Sequence, residues 1–447
     1  MRLPALLLIL LVPAPAASAQ EPLVSDPAGA ARAAGPETSA VRIVLAPAPW
    51  HPLTLAECYA LALKRSEEIA ISGERLDETR GRFLQALGSA LPDVSFVSTD
   101  KRQDGTGSSA FTLKHIPERR FTFSQPLFTG FKEFAALAGA RAERRGRLHE
   151  KTRAEQLLFV DVADAFYLLM EQRRDLFALE TIRTTLLARL EELEDRRRLG
   201  RSRSSEVASA EAQLRRVEAE LEQVRSAETT ARQLVEFLTG LPRLEGVADQ
   251  ELPLSEMAPE GEQVSKASGR PDVRAAEEAW RLAQHETAVA RADYWPEVDL
   301  EGNYYAERVG NAKDVAWDVL ITVDVPIFQG GSVKGAVRSA ASLARQAKLR
   351  FEQTQRQAEL DIRNRYATLQ AALARARALD QARQAAEENY RLQLEDYQLS
   401  LVNTLDVLET LQDLEDVRRE VIHAEYELKR LYWQLLIATG DLPHDAL

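Results

Sequence analysis

The chain is written twice, at an offset of 200 residues. Ser124-Gln125-Pro126-Leu127-Phe128-Thr129-Gly130 returns as Asp324-Val325-Pro326-Ile327-Phe328-Gln329-Gly330. The same offset carries Asp161 onto Asp361, Leu199 onto Leu399, Val207 onto Val407 and Thr239-Gly240 onto Thr439-Gly440. A register held without a gap over so long a stretch marks a duplicated structural unit, and the fold must use that unit twice.

Composition narrows what the unit is made of. Of the 447 residues 28% are charged and only 6% aromatic, and long tracts are built from Ala, Glu, Gln, Arg and Leu. That is the composition of long helices. A net charge of -12 leaves no broad basic face to neutralise phosphates, so a nucleic-acid partner is excluded. The only cysteine is Cys58, which rules out an intrachain disulfide and a multi-thiolate metal site.

The first residues have the order of a secretory signal, expected at 1–19. Arg2 is the positive start, Leu3 to Val12 the apolar stretch, and Ala17-Ser18-Ala19 the small-residue cleavage site. The apolar stretch is shorter than the roughly 20 residues a spanning helix needs. Cys58 lies far from the cleavage site, so no N-terminal lipid anchor is expected at the usual position. No later segment is apolar enough for a transmembrane helix. An exported chain of this kind crosses a membrane, if it does, with strands.

Residues 20–52 are rich in Ala, Pro and Ser and are expected to be a disordered leader. A first repeat follows at 53–242. It opens with a helical pattern from Leu53-Thr54-Leu55 to about Leu91, stopped by Pro92. Strands are expected at Asp93–Thr99 and Arg119–Gln125, the second ending at Pro126, with a loop at Lys101–Ser109. A long helix reaches about Arg198, and another runs from Ser204 to Leu238. A linker at 243–268 has no clear period. The second repeat, 269–443, has a helix from Arg270-Pro271-Asp272 to Trp295, strands at Glu297–Tyr305 and Trp317–Val325, and helices at Ser332–Tyr397 and Thr404–Thr439.

The last helices carry a coiled-coil seam. Leu414, Val417, Val421, Ala424, Leu428, Leu431 and Leu435 alternate steps of three and four. Leu214, Val217, Leu221 and Val224 match them. Glu228 then occupies the next seam position, and the stripe is expected to slip by one residue to Ala227, Ala231, Leu234 and Leu238. Helices alone would fit a solvated coiled-coil rod. The strands argue otherwise. Val298, Leu300, Gly302 and Tyr304 alternate with Glu297, Asp299, Glu301 and Asn303. Trp317, Val319, Ile321, Val323 and Val325 alternate with Asp318, Thr322 and Asp324, Leu320 being the exception. Phe121 and Phe123 alternate with Thr122 and Ser124. This is the alternation of strands with lipid outside and water inside. A half-buried soluble hairpin alternates in the same way, but the export signal and the lack of a helical span favour a barrel.

Four strands per chain cannot close one. Open strand edges cannot exist in lipid, and bacterial barrels start at about eight strands. Several chains must share a barrel. Two would give a narrow, filled barrel and three would leave room for a lumen; strand counting leaves both open.

The chain resembles the TolC-type outer-membrane efflux and secretion ducts of Gram-negative bacteria. The resemblance runs from about Leu53 to Pro443. It is carried by Leu53-Thr54-Leu55 with Ala60-Leu61-Ala62-Leu63, by Gln125-Pro126-Leu127-Phe128-Thr129-Gly130 and Val325-Pro326-Ile327-Phe328-Gln329-Gly330-Gly331, by Arg270-Pro271-Asp272, by Tyr294-Trp295-Pro296 and by Ala438-Thr439-Gly440-Asp441-Leu442. It implies a mainly α fold with membrane β. Two tandem repeats would form a periplasmic α-barrel of long coiled-coil helices, and four strands per chain would join a shared trimeric 12-stranded β-barrel. It further implies a passive exit duct in the outer membrane, acting as a homotrimer with a periplasmic adaptor (membrane fusion protein), an inner-membrane pump and outer-membrane lipid, and needing no cofactor.

The resemblance also implies a gate at the periplasmic tip, in the turn between the last two helices. The tyrosine position is Tyr397 and the acidic positions are Asp406 and Glu409. Three residues apart, the acids share a helix face, and in a trimer they would form two stacked rings that attract cations and raise one another's pKa. The family's arginine position holds Val402. Arg196, Arg197, Arg198, Arg201 and Arg203, beside Glu206, crowd the equivalent turn of the first repeat and are expected to supply the missing positive partners. Each feature also has an ordinary reading: acids at a helix start cap it, and an arginine cluster solvates a turn.

Nothing in the sequence suggests an enzyme. It has no phosphate loop, zinc spacing or nucleophile elbow, and its histidines (His51, His115, His149, His285, His423 and His444) are scattered. A periplasmic adaptor or scaffold without a pore is the alternative. An adaptor would carry a single helical hairpin between compact β-domains, and a scaffold would lack the strands.

Overall fold

The computed structural model describes residues 52–104, 113–249, 252, 258–310, 313–399 and 401–441. The expected signal segment and nearly all of the leader lie outside these residues, as does Leu442 of the closing motif. The described order is α1 (Leu55–Arg65), α2 (Glu67–Gly88), β1 (Asp93–Arg102), β2 (His115–Thr129), α3 (Lys132–Arg198), α4 (Ser204–Thr239), α5 (Glu260–Ser265), a 3-10 turn (Lys266–Gly269), α6 (Pro271–Ala292), β3 (Glu297–Arg308), β4 (Trp317–Asp324), α7 (Ser332–Gln398) and α8 (Thr404–Ala438). The repeat is visible in the lengths. Helices α3 and α7 each hold 67 residues, about 100 Å at about 1.5 Å per residue.

The opening helix departs from expectation. It is two helices, α1 and α2, hinged at Ser66. Thr54 and Glu57 close a capping box at the start of α1, and the Ser66 hydroxyl accepts from the Ile69 amide at 3.4 Å to start α2. Ser66 is extended, so it ends one helix and caps the next. Strand β2 also differs, since it does not stop at Pro126. The proline has no N–H to offer, and the ladder accommodates it by a register shift between Pro126 and Phe128 before continuing to Thr129. Strands β1 and β3 run three residues past their expected ends, to Arg102 and Arg308.

The four strands form one antiparallel sheet in sequence order. Its register puts Phe96, Phe121, Tyr304 and Trp317 side by side on one face, and Ser95, Thr122, Asn303 and Asp318 on the other. The polar row is hydrogen-bonded across strands. Thr122 donates to Asn303 Oδ1 (2.9 Å), Asn303 to Asp318 (3.1 Å), and Tyr305 to Asp318 (2.8 Å). The apolar face is bare: Val94, Phe96, Phe121, Phe123, Tyr304, Val319, Ile321 and Val323 are all exposed. Leu320, the exception in sequence, lies on the polar face opposite Glu301. Among the described residues no helix is long and apolar enough to cross a membrane.

Below the sheet α3 packs on α2 and α6, and α6 on α7; farther along, α3 meets α4 and α8, and α8 meets α7. The α4 seam buries Val207, Ala210, Leu214, Val217, Leu221 and Val224. Beyond it the expected slip does not occur. Glu228 keeps its seam position by pairing with Arg173 at 3.1 Å, and burial resumes at Ala231 and Val235, leaving Leu234 exposed. A paired charge at the seam edge is tolerated where an unpaired one would be expelled.

The main core lies where the linker crosses the helices. Phe159 packs edge-on against Tyr59 (5.1 Å) and Trp433 (5.2 Å), and the Trp433 indole donates to Tyr167 (3.1 Å). Leu53 bridges to Val247 in the linker, which also holds α5 and the 3-10 turn. Arg270, only 5% exposed, then fastens the second repeat. It grips Asp272 through two bonds (2.9 and 2.7 Å), and its Nη1 reaches Asp361 (2.9 Å) and the Ala438 carbonyl (3.4 Å). The Arg270-Pro271-Asp272 motif therefore ties the start of α6 to α7 and to the end of α8.

Candidate gate at the helical tip

The tip is made of two turns, 199–203 between α3 and α4 and 399–403 between α7 and α8, one from each repeat. Helix α3 runs uninterrupted to Arg198 and stops at Gly200, whose φ of 72° suits only glycine comfortably. Leu179, Ile182, Leu186 and Leu193 of α3 form a core with the α4 seam, and Leu408 and Leu411 of α8 join it. This core holds the two turns together.

Tyr397, on the last turn of α7, is 9% exposed. Its hydroxyl accepts a hydrogen bond from Arg196 Nη1 at 2.7 Å and one from Thr404 Oγ1 at 3.3 Å. Its ring is flanked by two guanidinium groups, with Arg189 Cζ 4.2 Å and Arg196 Cζ 4.9 Å from the centroid. These are cation–π distances. Glu192 joins the two arginines, accepting from Arg189 Nη1 (2.5 Å) and Arg196 Nη2 (2.7 Å). Nε and Nη2 of Arg189 are buried and make no hydrogen bond, so the aromatic face is what receives that charge. The result is a cross-repeat latch: two cations from α3 hold one phenol from α7.

Of the five tip arginines singled out in sequence, Arg196 alone reaches Tyr397. Arg198 pairs locally with Asp195 (3.3 Å) and Glu194 (3.9 Å). Arg197 and Arg201 form no ion pair among the described residues. Arg203 offers its backbone amide to Glu206 (3.3 Å), which also accepts from Ser202 (2.6 Å). The residue the sequence reading missed is Arg189. It stands seven before Arg196, two helical turns back on the same face, and that spacing was the available signal.

The acidic pair divides. Asp406 closes a capping box, accepting from the Asn403 amide at 3.0 Å while Asn403 Oδ1 accepts from Leu405 (2.7 Å) and Asp406 (3.2 Å). Glu409, one turn on, is exposed and has no ion pair among the described residues. Val402 is half-buried beside the cap and contributes no polar group.

Farther from the tip, charges pair across the α3–α8 contact. Arg419 forks onto Asp175 (2.6 and 3.1 Å) and reaches Glu220 (2.7 Å). His423 Nδ1 lies 2.6 Å from Glu171, which also binds Arg430 (3.0 Å). The Glu171 hydrogen bond raises the His423 pKa above its ordinary value; burial opposes, and the charges of Glu171 and Asp175 add. Among the described residues no cluster of His, Cys, Asp and Glu could hold a metal ion.

Comparisons agree with this architecture. The family profile "Outer membrane efflux protein" matches residues 265–441. Nodulation protein T of Rhizobium leguminosarum bv. trifolii is 28% identical over 177 residues, 38% of each chain. Outer membrane protein TolC of Vibrio cholerae is 21% identical over 418 residues, 90% of this chain and 94% of that one. The crystal structure of the outer membrane protein VceC of Vibrio cholerae superposes with a TM-score of 0.75 at 21% identity, covering 86% of this chain and 96% of that one. Residues 265–441 match the outer membrane efflux protein family, and the chain as a whole has the architecture of outer-membrane exit ducts that extend into the periplasm.

Proposed function

We propose that three copies of this chain form one passive exit duct, closed at its periplasmic tip by contact between the two repeats and fed by a periplasmic adaptor and an inner-membrane pump. One observation carries the assembly. A single chain bears a four-stranded sheet with two open edges and a bare apolar face, set on helices about 100 Å long. Such edges are unsatisfied in lipid unless other strands close them. Residues 53–242 and 269–443 act as the two repeats, 243–268 as the linker, and 1–19 as the export signal.

In the tip, Tyr397, Arg196 and Arg189 are the closing contact. Arg197, Arg198, Arg201, Arg203 and Glu206 shape the opposing turn. Three copies set Asp406 and Glu409 as two acidic rings at the entrance, and Val402 leaves room that an arginine would fill in relatives of the family. The duct supplies no energy and selects cargo weakly, since both tasks fall to the pump.

The assembly is tested by fractionation. The protein is expected to require detergent for extraction, to run as a heat-modifiable trimer and to conduct in planar bilayers. Recovery as a soluble periplasmic monomer would remove the duct reading.

A further inference from the structure

The polar face of the sheet is divided by charge along its length. The register stacks its side chains in rows. Nearest the helices, Glu297 and Asp324 share a row. Then comes Asp299, then Asp93 and Glu301 on either side of Ser124, then Asp318. No lysine or arginine stands in these rows. Beyond Asp318 the sign reverses. Arg120 lies level with Tyr305, Arg308 level with Glu118 and Thr99, and Lys101 level with Ile116. Glu118 is the only carboxylate in these last rows. Arg308 owes its place to the register shift between Arg119 and Arg120, which turns it onto the polar face with Tyr305. Plain alternation would have aimed it at lipid.

Glu118 does not neutralise the three cations around it. It accepts from Arg120 Nη1 at 2.8 Å and lies 3.7 Å from Arg308 Nε. Arg120 Nε is buried without a hydrogen-bond partner. The Arg308 guanidinium rests over the Tyr305 ring, 4.1 Å from its centroid. Lys101 is exposed and has no ion pair among the described residues. On the opposite face at this height each carboxylate has a cation of its own, Glu307 with Arg119 at 2.9 Å and Asp100 with His115. The connecting turns leave the balance unchanged. Lys114 and Lys313 offset Asp104 and Asp314, and residues 105–112 and 311–312, outside the described part, have no charged side chain in their sequence.

The helices join the sheet at its acidic end. The basic rows therefore lie at the far end, which is the outer mouth in the shared-barrel reading above. We propose that Lys101, Arg120 and Arg308, repeated around that mouth, form a cationic collar that admits anions and turns back cations arriving from outside. This rests on the shared-barrel reading and adds a selectivity element to it. Rings of Lys and Arg act in this way in anion-selective pores.

Distance keeps the two zones from cancelling. From Arg120 to Thr129, which is level with Glu297, strand β2 advances about 30 Å at about 3.3 Å per residue. A strand tilt of about 40° leaves roughly 20–25 Å of that along the barrel axis. The Debye length in 0.1 M salt is about 10 Å, so the collar and the carboxylates act in series. The order has a direction. A cation outside meets repulsion first, whereas an anion outside is drawn into the mouth and stopped by the carboxylates beyond. The collar is distinct from the tip, since Asp406 and Glu409 stand at the other end of the long helices.

Two thiol reagents of opposite charge test the collar on intact cells that carry the protein in the outer membrane. One is a methanethiosulfonate bearing a sulfonate, the other one bearing trimethylammonium. Thr99→Cys puts a thiol in the collar, and Ser124→Cys puts one between Asp93 and Glu301. The native thiol does not compete: Cys58 is fully buried, and desolvation, with Glu57 adding, pushes its pKa up to about 12. The ratio of the two rates cancels each thiol's own reactivity and follows the local potential. The sulfonate-to-ammonium ratio is expected to be about tenfold higher at Thr99→Cys than at Ser124→Cys in about 0.1 M salt, and to converge at about 1 M, where the Debye length falls to about 3 Å. Arg120→Gln with Arg308→Gln should lower the ratio at Thr99→Cys about fivefold and speed the ammonium reagent at Ser124→Cys, which it reaches only past the collar. Lys101→Gln, at an exposed and unpaired side chain, should act in the same sense and carries the test if the double variant disturbs the sheet. Equal ratios at the two positions, or ratios that these variants leave unmoved, overturn the collar and keep the barrel. Thiols that neither reagent reaches from outside overturn the barrel reading and the collar with it.

Discussion

Arg196 and Tyr397 stand 201 positions apart in sequence and meet at 2.7 Å, guanidinium to phenol. The bond joins the last turn of α3 to the last turn of α7, so it couples the two repeats beside turns that differ in sequence, Arg201-Ser202-Arg203 in one and Leu401-Val402-Asn403 in the other. The turn that holds Tyr397 carries Val402 and no arginine of its own. The charge comes from the opposite repeat, and Arg189 doubles it by stacking on the same ring.

A latch of this kind has a measurable strength. A hydrogen bond to a charged donor, partly exposed, is worth about 1–2 kcal/mol. Arg196→Ala is therefore expected to shift the closed-to-open ratio by about tenfold toward open, read as higher single-channel conductance or open probability in planar bilayers. Tyr397→Phe loses the bond but keeps the stacked ring and should open the duct less. Arg189→Ala combined with Arg196→Ala should open it most. Equal conductance across the series would show that the contact packs the tip without closing it.

The acidic residues at the same tip predict selectivity. Two stacked carboxylate rings at a constriction favour cations. Asp406→Asn with Glu409→Gln is expected to lower the cation-to-anion permeability ratio in reversal-potential measurements. Asp406 also caps α8, and asparagine keeps a capping oxygen there, so this variant tests charge and not helix integrity. An unchanged ratio would leave Asp406 as a cap alone.

Arg270 predicts stability. It is buried against two carboxylates, and removing it would leave Asp272 without its two-pronged partner and Asp361 with Arg365 alone. Breaking a buried pair in this way costs about 3–5 kcal/mol. Arg270→Ala is expected to lower the denaturation midpoint accordingly. Adding Asp272→Asn should recover part of the loss, because it removes the stranded charge. A loss equal to the sum of the single variants would mean that the two groups do not act together.

These sites differ in how far the sequence announced them. The element order and the alternation of the strands were legible because each rests on a local period, 3.6 or 2.0, imposed by one element's own geometry, and the repeat because the same motifs return 200 residues on. The hinge at Ser66 was not, because a serine inside an apolar-periodic run looks like any exposed helical position until its hydroxyl is seen capping Ile69. The slip expected after Val224 failed for a similar reason: Glu228 stays in the seam only because Arg173 on another helix meets it. At the tip, the arginine cluster was visible as composition, but which arginine reaches Tyr397 depends on the rotation of α3 against α7. Neither helix records that in its own residues.

His423 predicts a pH dependence. It faces Glu171 and Asp175 from α3, with Arg419 and Arg430 on its own helix and Glu220 of α4 beyond Arg419. The three carboxylates outnumber the two guanidinium groups, and a protonated imidazole completes the balance. Its pKa is raised in the folded chain, so its contribution is fully present below the unfolded value of about 6.5 and is lost as pH rises through the folded value. The difference in thermal midpoint between the wild-type chain and His423→Gln is therefore expected to be largest near pH 5.5 and to shrink as pH rises past about 7. Because the contact ties α8 to α3, acid should also slow any opening that separates these helices, so the conductance of the Arg196→Ala variant should fall on acidification. A midpoint difference that stays constant from about pH 5.5 to 8 would mean that the imidazole packs there without titrating.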